Sequence, residues 1–306
     1  MVSPILKWAG GKRQLLDELY SRFPDSYEHF HEPFFGGGAM FFDLEPENGT
    51  INDTNSRLIN FYKQVRDNPE ELINLLRSFD DPESDPDPER RFSNTNRKGK
   101  EINNYYYQQR ELFNNRPYGD EYDELEEASL LLYLNRTCYN GLYRENSSGG
   151  FNVPIGRYSN PDWVRAEEIR KASRVLDDTK IHNTGFEYIT EVAKENDLVY
   201  FDPPYEPMSP TAYFTDYSAE GFGKADQERL REVAQELNEK GVNVILSNSG
   251  VMYEMYEEAG FYVEVEGATR AINSDAENRD EVDEIIATNI APEERRRAGQ
   301  QGLADF

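Results

Sequence analysis

Cysteine, tryptophan and histidine are the residues this chain has least of. Its single cysteine, Cys138, excludes an internal disulfide, and three histidines (His29, His31, His182) give no zinc-type spacing, so no structural metal is expected. Long apolar runs are missing too. The apolar run directly before Lys7 is only Pro4, Ile5 and Leu6, far short of a signal-peptide core, and no later stretch could cross a bilayer, which predicts a soluble cytoplasmic protein. Positive charge is also scarce: 33 basic residues stand against 59 acidic ones, for a formal net charge of -26. High net charge often means disorder, but 20 tyrosines and 17 phenylalanines supply a core. The acid excess therefore reads as a heavily hydrated surface of the kind suited to a high-salt cytoplasm. At 306 residues the chain has room for one large domain or two modest ones.

Helix and strand signals alternate at both ends of the chain. Leu58, Phe61, Tyr62 and Val65 fall on one helical face behind the capping residues Asn55 and Ser56, and Leu230, Val233, Ala234 and Leu237 repeat that spacing. Thr50–Asn52, Leu198–Phe201, Val242–Leu246 and Tyr262–Val265 read as strands. Such alternation predicts an α/β fold with a mainly parallel sheet and helices on both faces. The middle differs. Asp80–Glu89 is acidic and proline-rich, an exposed loop or linker. After it the charge reverses: Arg90–Arg116 holds seven bases (Arg90, Arg91, Arg97, Lys98, Lys100, Arg110, Arg116) against two acids. Arg136–Arg174 likewise holds seven bases, Arg165 and Arg170 among them, against four acids. Tyr139, Tyr143, Phe151 and Tyr158 interleave with these arginines, the pattern of a polyanion-binding face; local salt bridges are the alternative.

The stretch DLVYFDPPYEP (Asp197–Pro207) concentrates chemistry. Leu198–Phe201 is a buried strand in prospect, and two prolines without N–H groups must end it at Asp202. The carboxyl end of a strand in an open α/β sheet is where ligands sit, so Asp202 is either a site residue or a solvated carboxylate in a rigid turn. HEPFFGGGAMFF (His31–Phe42) offers glycines for a tight turn, with a helix expected behind it from Met40 to Phe42. TIND ends on Asp53, 17 residues after Gly36, near the distance at which such sheets present an acid to ribose hydroxyls. LKWAGGKRQLL is not a phosphate-binding P-loop, because Arg13 stands where Ser or Thr belongs.

KWAGGK, EPFFGGG, IND, LNRTCYNGLYR, FNVPIGRY, FDPPY and LSNS follow one another in a fixed order. With them the chain resembles the Dam-type, D12 class of site-specific DNA adenine-N6 methyltransferases, from about Pro4 to about Ile290. The acid excess would add a halophilic archaeon or its virus as source. The resemblance implies a Rossmann-like S-adenosylmethionine-dependent methyltransferase sheet with helices on both faces, plus a mainly helical target-recognition insert bearing a β-hairpin. Residues 1–70 and 176–292 would form the catalytic domain, 71–175 the DNA-binding insert and 293–306 a flexible tail. The implied reaction moves a methyl group from S-adenosylmethionine to the N6 amino group of a flipped-out adenine in double-stranded DNA, with GATC the leading target. Asp202 and the Pro203 carbonyl would accept the amino N–H groups, Pro204 would stiffen the turn and Tyr205 would stack on the base. Trp8, Ala9, Gly10, Lys12, Glu32, Phe34, Gly36, Gly38, Asp53, Phe186 and Asp202 match cofactor positions. Lys7, Arg136, Tyr139, Asn140, Leu142, Arg144 and Tyr158 match DNA-contacting positions, with Arg144 as the guanine reader and Cys138 a packed residue. A cognate restriction endonuclease is an implied partner, and the protein would be a monomer or weak dimer.

Two features depart from the family pattern. TGFEYI places Phe186 before Glu187, whereas the family has the acid first, and the hairpin RENSSGGFN is less basic than the family's. Two other functions compete: a methyltransferase acting on RNA or a protein amide, and a DNA-binding module without catalysis. N-P-P-Y is the commoner motif of the first, and a pure binder has no use for Asp202, Tyr205 and Asp53.

Overall fold

Short runs of β-branched and aromatic residues build a seven-stranded sheet from β1 (Phe30–Glu32), β2 (Gly49–Asn52), β3 (Lys180–His182), β4 (Leu198–Phe201), β5 (Asn243–Ser249), β6 (Tyr262–Glu266) and β7 (Glu284–Thr288). The strand order is β3-β2-β1-β4-β5-β7-β6. β1 to β5 pair in parallel, whereas β7 runs antiparallel to both β5 and β6. The computed structural model describes residues 2–8, 12, 15–89, 100–115, 123–205, 222–266 and 284–296. Four strands agree with the sequence reading to within a few residues. β1, β3 and β7 escape it: β1 and β3 have three residues each, too few for a period, and β7 lies past the last motif.

The central strands sort their side chains by parity. Leu198, Tyr200, Ile245 and Ile286 join the core on one face; Val199, Phe201, Val244, Leu246, Ile285 and Ala287 join the core on the other. That is why β4 reads as an unbroken apolar run: both sides of it are covered. The first face is covered by α1 (Leu16–Tyr20), α2 (Ala39–Leu44), α3 (Ser56–Asp67), α4 (Pro69–Arg77), α6 (Glu124–Thr137) and α7 (Ala166–Leu176), the second by α8 (Ile189–Val192), α9 (Lys224–Glu239) and α10 (Tyr253–Glu258). α3 starts where the sequence places it, with the Asn55 side chain accepting from the Arg57 and Leu58 N–H groups. α6 and α5 (Tyr105–Asn114) come from the middle of the chain, yet Tyr105, Tyr106, Leu132, Tyr133 and Leu134 share one continuous core with Phe30, Phe41 and Ile51. Asp80–Glu89 forms no helix or strand and is mostly exposed, but it is docked: Tyr105 and Tyr106 N–H groups bond to Ser84 and Pro82, and Gln108 exchanges two bonds with Asp87.

Several expectations for the basic middle need correction. Tyr143 and Phe151 are core residues, 5% and 2% exposed, because their rings pack under the hairpin. Arg165 pairs with Asp162 and Glu168, and Arg170 makes a two-pronged pair with Glu70 while touching Glu167. These two arginines serve local salt bridges. Arg90, Arg91, Arg97, Lys98 and Arg116 lie outside the described residues. Arg295, inside the tail expected at residues 293–306, bonds Glu264 at 2.5 Å and the Ile290 carbonyl, and the Arg296 N–H bonds the Phe23 carbonyl.

His29 and His31 lie at the start of β1, and His182 ends β3. Asp197, buried where β4 begins, accepts N–H bonds from His29 at 3.1 Å and Lys194 at 2.8 Å, and faces the rings of His29 and His31, each at 3.1 Å. His31 continues to Thr50 at 2.8 Å, and Thr50 to the Tyr188 hydroxyl, while the His182 ring lies on Tyr188. Glu28, His29 and Asp197 stand close enough to share an ion, but four partners already occupy the lone pairs of Asp197. Burial pushes this carboxyl up, and its hydrogen bonds more than offset that, leaving it below the ordinary value. Burial lowers the pKa of His31.

Candidate active site

Prolines 203 and 204 end β4 at Phe201, so Asp202 stands at the carboxyl end of the strand, beside the reversal of strand order between β1 and β4. Both faces of β5 brace this turn. On one, Ser247 donates to Asp202 Oδ1 at 2.9 Å and lies 3.1 Å from the Tyr200 hydroxyl. On the other, Asn248 holds Gln227 at 2.9 Å, and Gln227 Nε2 reaches the Pro204 carbonyl at 3.3 Å. Lys12 closes the network. Its buried ammonium lies 3.5 Å from Asp202 Oδ1 and 2.8 Å from Glu284 Oε1, donates to the Tyr205 hydroxyl and sits 4.1 Å over the Tyr205 ring. Tyr205 in turn donates to Glu284 at 2.9 Å. Burial pushes the Asp202 carboxyl up to about 6, with Lys12 and Ser247 opposing the rise and Glu284 adding to it. At neutral pH Asp202 is thus an ionised acceptor whose Oδ2 has no hydrogen-bond partner among the described residues.

The glycine turn after β1 lies against the N-terminal segment. Gly36 and Gly38 have φ of +49° and +66°, backbone that disfavours a side chain. A Cβ on Gly36 would come 3.0 Å from Trp8 Cδ1, and one on Gly38 would collide with Phe35 at 2.5 Å. Asp53 directly follows β2 and ties the turn to α3, accepting from Gly36 N–H at 3.0 Å and Asn55 N–H at 2.8 Å. Burial raises its pKa against those N–H bonds. Phe34 stacks on Phe186 at 5.3 Å and meets Phe222 edge-on at 5.6 Å, a three-ring apolar wall. Glu32 lies deeper: 3% exposed, it accepts the Phe41 N–H at 3.1 Å in the first turn of α2 (Ala39–Leu44). Burial, then the charge of Asp202, hold its carboxyl well above the usual range. The fold therefore brings Trp8, Lys12, Glu32, Phe34, Gly36, Gly38, Asp53, Phe186 and Asp202 together; Ala9 and Gly10 lie outside the described residues.

A second group projects from the middle of the chain. Tyr139, Asn140 and Gly141 form a 3₁₀ turn after α6, in which Asn140 has φ of +56°, a conformation asparagine tolerates. Tyr139 is 51% exposed, Tyr158 37% and Leu142 36%, unusual for large apolar side chains, so Tyr139 and Tyr158 are not core aromatics. Lys7 Nζ reaches the Tyr158 hydroxyl at 3.1 Å. Arg144 and Asn152 face each other across a short hairpin, and Arg144 donates its Nε to Asn152 Oδ1 at 2.6 Å. Arg136 is partly spent on the Asp162 carbonyl. The Cys138 thiol is buried among backbone carbonyls, and burial pushes it up to about 12, so it is inert.

Sequence reasoning assigns no role to Ser247, Asn248, Gln227, Glu284, Phe222 and Asn135, although LSNS holds the first two and LNRTCYNGLYR the last. Asn135 also announces itself as the polar residue that closes the apolar run LLLYL on α6. The others lie far along the chain from the groups they support, and Glu284 is 272 residues from Lys12.

Comparisons with known proteins agree with this geometry. The family model for D12 class N6 adenine-specific DNA methyltransferase matches residues 8–272. A type II methyltransferase of Lactococcus lactis subsp. cremoris, M1.LlaDCHI, is 42% identical over 290 residues, covering 94% of this chain and 95% of the relative. The type II methyltransferase M.MjaIII of Methanocaldococcus jannaschii is 36% identical over 304 residues, covering 94% and 99%. The DNA adenine methylase of Escherichia coli K12 is 36% identical over 289 residues, covering 92% and 93%. With an acidic acceptor held at the end of β4 and near full-length similarity to these enzymes, the chain belongs to the D12 class of N6 adenine-specific DNA methyltransferases.

Proposed function

We propose that the chain transfers the methyl group of S-adenosylmethionine to N6 of an adenine flipped out of double-stranded DNA, with GATC as its target. The observation that carries this reading is the Asp202 carboxylate, steadied by Ser247 and Lys12 on one oxygen, open on the other, and adjoining Tyr205. The surrounding donor set fits the cofactor. Asp53 offers a carboxylate for ribose hydroxyls, Phe34, Phe186 and Phe222 an apolar wall for a flat base, and Trp8 a plate against the glycine turn. When bound, S-adenosylmethionine supplies an electrophilic methyl group on a positively charged sulfur.

The protein's own task is to make a poor nucleophile attack. Asp202 and the Pro203 carbonyl accept the two N6–H bonds and stabilise positive charge as it develops on nitrogen. Asp202 need not take the proton first, because the methylated amine is acidic enough to lose it afterwards. Gln227 and Asn248 keep the turn from yielding, and the ring of Tyr205 holds the base. The target amino group is confined in the stack, so the base must leave it, at a cost of a few kcal/mol. Tyr139 and Leu142, exposed on the recognition unit of residues 71–175, offset that cost by filling the opened duplex, at about 1–3 kcal/mol per stacked base. Arg144, steadied through Nε, presents its two outer nitrogens to guanine O6 and N7, and Lys7 and Tyr158 add contacts beside it. The net charge of -26 does not forbid this. In molar salt the Debye length is about 3 Å, so distant acids scarcely repel DNA, and activity should persist there. The type II names of two relatives support a role beside a restriction endonuclease.

The test is methylation-sensitive sequencing of DNA from a host without adenine methylation, expressing wild type or Asp202→Ala. N6-methyladenine at one short motif with wild type alone is the expected result. Unmarked DNA with a folded, cofactor-binding wild type would overturn the reading and point to RNA or protein.

A further inference from the structure

Lys7 and Trp8 are neighbours in the chain with opposite surroundings. Lys7 reaches Tyr158 on the exposed recognition surface. Trp8 lies against Gly36 and Gly37 and stacks on Tyr143 at 5.2 Å. A single peptide unit thus separates the surface assigned to DNA from the wall assigned to the cofactor, and one side chain fixes it. Asn135, near the end of α6 and 1% exposed, pairs with both backbone groups of Lys7. The Lys7 N–H donates to Asn135 Oδ1 at 2.8 Å, and Asn135 Nδ2 donates to the Lys7 carbonyl at 2.7 Å. Nδ2 also donates to the Gly141 carbonyl at 3.1 Å, inside the Tyr139–Gly141 turn. The carboxamide therefore uses its oxygen and both hydrogens, and only one amide orientation satisfies all three bonds. Gly141 completes the clasp: φ is +67°, and a Cβ there would fall 2.3 Å from Lys7 Cδ.

We propose that Asn135 is a positioning residue that couples target reading to cofactor binding. Because it joins the recognition turn and the Lys7 peptide in one buried three-bond clasp, a shift of that turn on DNA moves Trp8 as well. The inference rests on the functional reading above, in which Lys7 and Tyr139 meet DNA and Trp8 meets the cofactor. Linkage makes the effect reciprocal: cognate DNA tightens cofactor binding by the factor by which cofactor tightens DNA binding. Asn135→Asp tests it with little change of shape. The substitution keeps the acceptor for the Lys7 N–H but sets a second acceptor against two buried carbonyls.

The measurement is the equilibrium Kd of S-adenosylmethionine with the full chain, with and without a duplex carrying the motif found by sequencing. Wild type should bind about tenfold tighter with the duplex. Asn135→Asp, and Gly141→Ala independently, should lose that gain while the duplex-free Kd stays within about threefold of wild type. If Asn135→Asp fails to fold, Gly141→Ala, which adds one methyl group against the flexible Lys7 side chain, carries the test. Wild-type coupling in either folded variant, or no coupling in wild type, would overturn the proposal. A wild type that neither methylates DNA nor binds the cofactor overturns the functional reading beneath it instead.

Discussion

β4 is flanked by two aspartates five positions apart, and the fold treats them oppositely. Asp197, at the amino end, faces four nitrogen partners and is held below its ordinary pKa. Asp202, at the carboxyl end, has Ser247 and a Lys12 ammonium shared with Tyr205 and Glu284, and its pKa is pushed up to about 6. The same side chain is a structural staple at one end and, in the proposed function, the acceptor of the substrate's N–H at the other. Strand direction explains the difference. Backbone N–H groups converge on Asp197 from the loops entering β1 and β4, whereas prolines follow Asp202 and leave room for a ligand's N–H instead.

The largest effect expected is from Asp202→Asn. Methyl transfer under saturating substrate should fall by about 10²–10³-fold, the size seen when one preorganised partner of developing charge is lost. Wild-type rate should itself fall as pH drops below about 6, because the protonated acid no longer accepts both ways. Stability should move the other way. Asp202 holds its proton more tightly folded than unfolded, so it weakens the fold as pH rises from about 4 to 6, and Asp202→Asn should keep or raise Tm at pH 8. A lower Tm with unchanged rate would erase the contrast.

Asp197→Asn should do the reverse: a loss of about 2–3 kcal/mol from opposed buried donors, roughly 5 °C in Tm by thermal scan, with normal transfer rate per folded molecule. Its pH dependence carries a sign. Asp197 has a folded pKa below its unfolded value, so its contribution is present above about 4 and is lost as pH falls further. His31, also lowered, binds a proton more readily unfolded, so stability should already decline as pH falls below about 6.5. Asp197→Asn should remove the lower window in a series of Tm values taken against pH.

The smallest effect sharpens the comparison from outside the core. Arg170 meets Glu70 in two short hydrogen bonds, better geometry on paper than that around Asp202, yet both groups are in water. Arg170→Ala should leave Tm unmoved within the error of a thermal scan, since screening and side-chain entropy cancel an exposed pair. A clear drop would mean that burial is not what separates the working carboxylates from the rest.

Much of the local structure at the carboxyl end of the sheet was legible in the chain itself. The apolar run before Asp202 needs both sheet faces covered, two prolines end it, the glycines after β1 demand a left-handed turn, and Asn55 caps α3; each of these is a local rule. β1 and β3 were not legible, because three residues carry no period. The basic middle misled for a different reason. Composition cannot tell Tyr139, which the turn throws outward, from Tyr143, four residues on, which the hairpin buries.

The sequence by itself determined which residues are chemically able to act: Asp202 behind a strand, Asp53 after the glycine turn, aromatics and arginines in the middle. Tertiary structure alone decided which of them act together, since Lys7 meets Asn135 across 128 residues, Lys12 meets Tyr205 across 193 and Ser247 meets Asp202 across 45. Periodicity and turn chemistry are properties of neighbours in the chain, whereas the pKa of a carboxylate is set by what folding leaves beside it and how much water it removes.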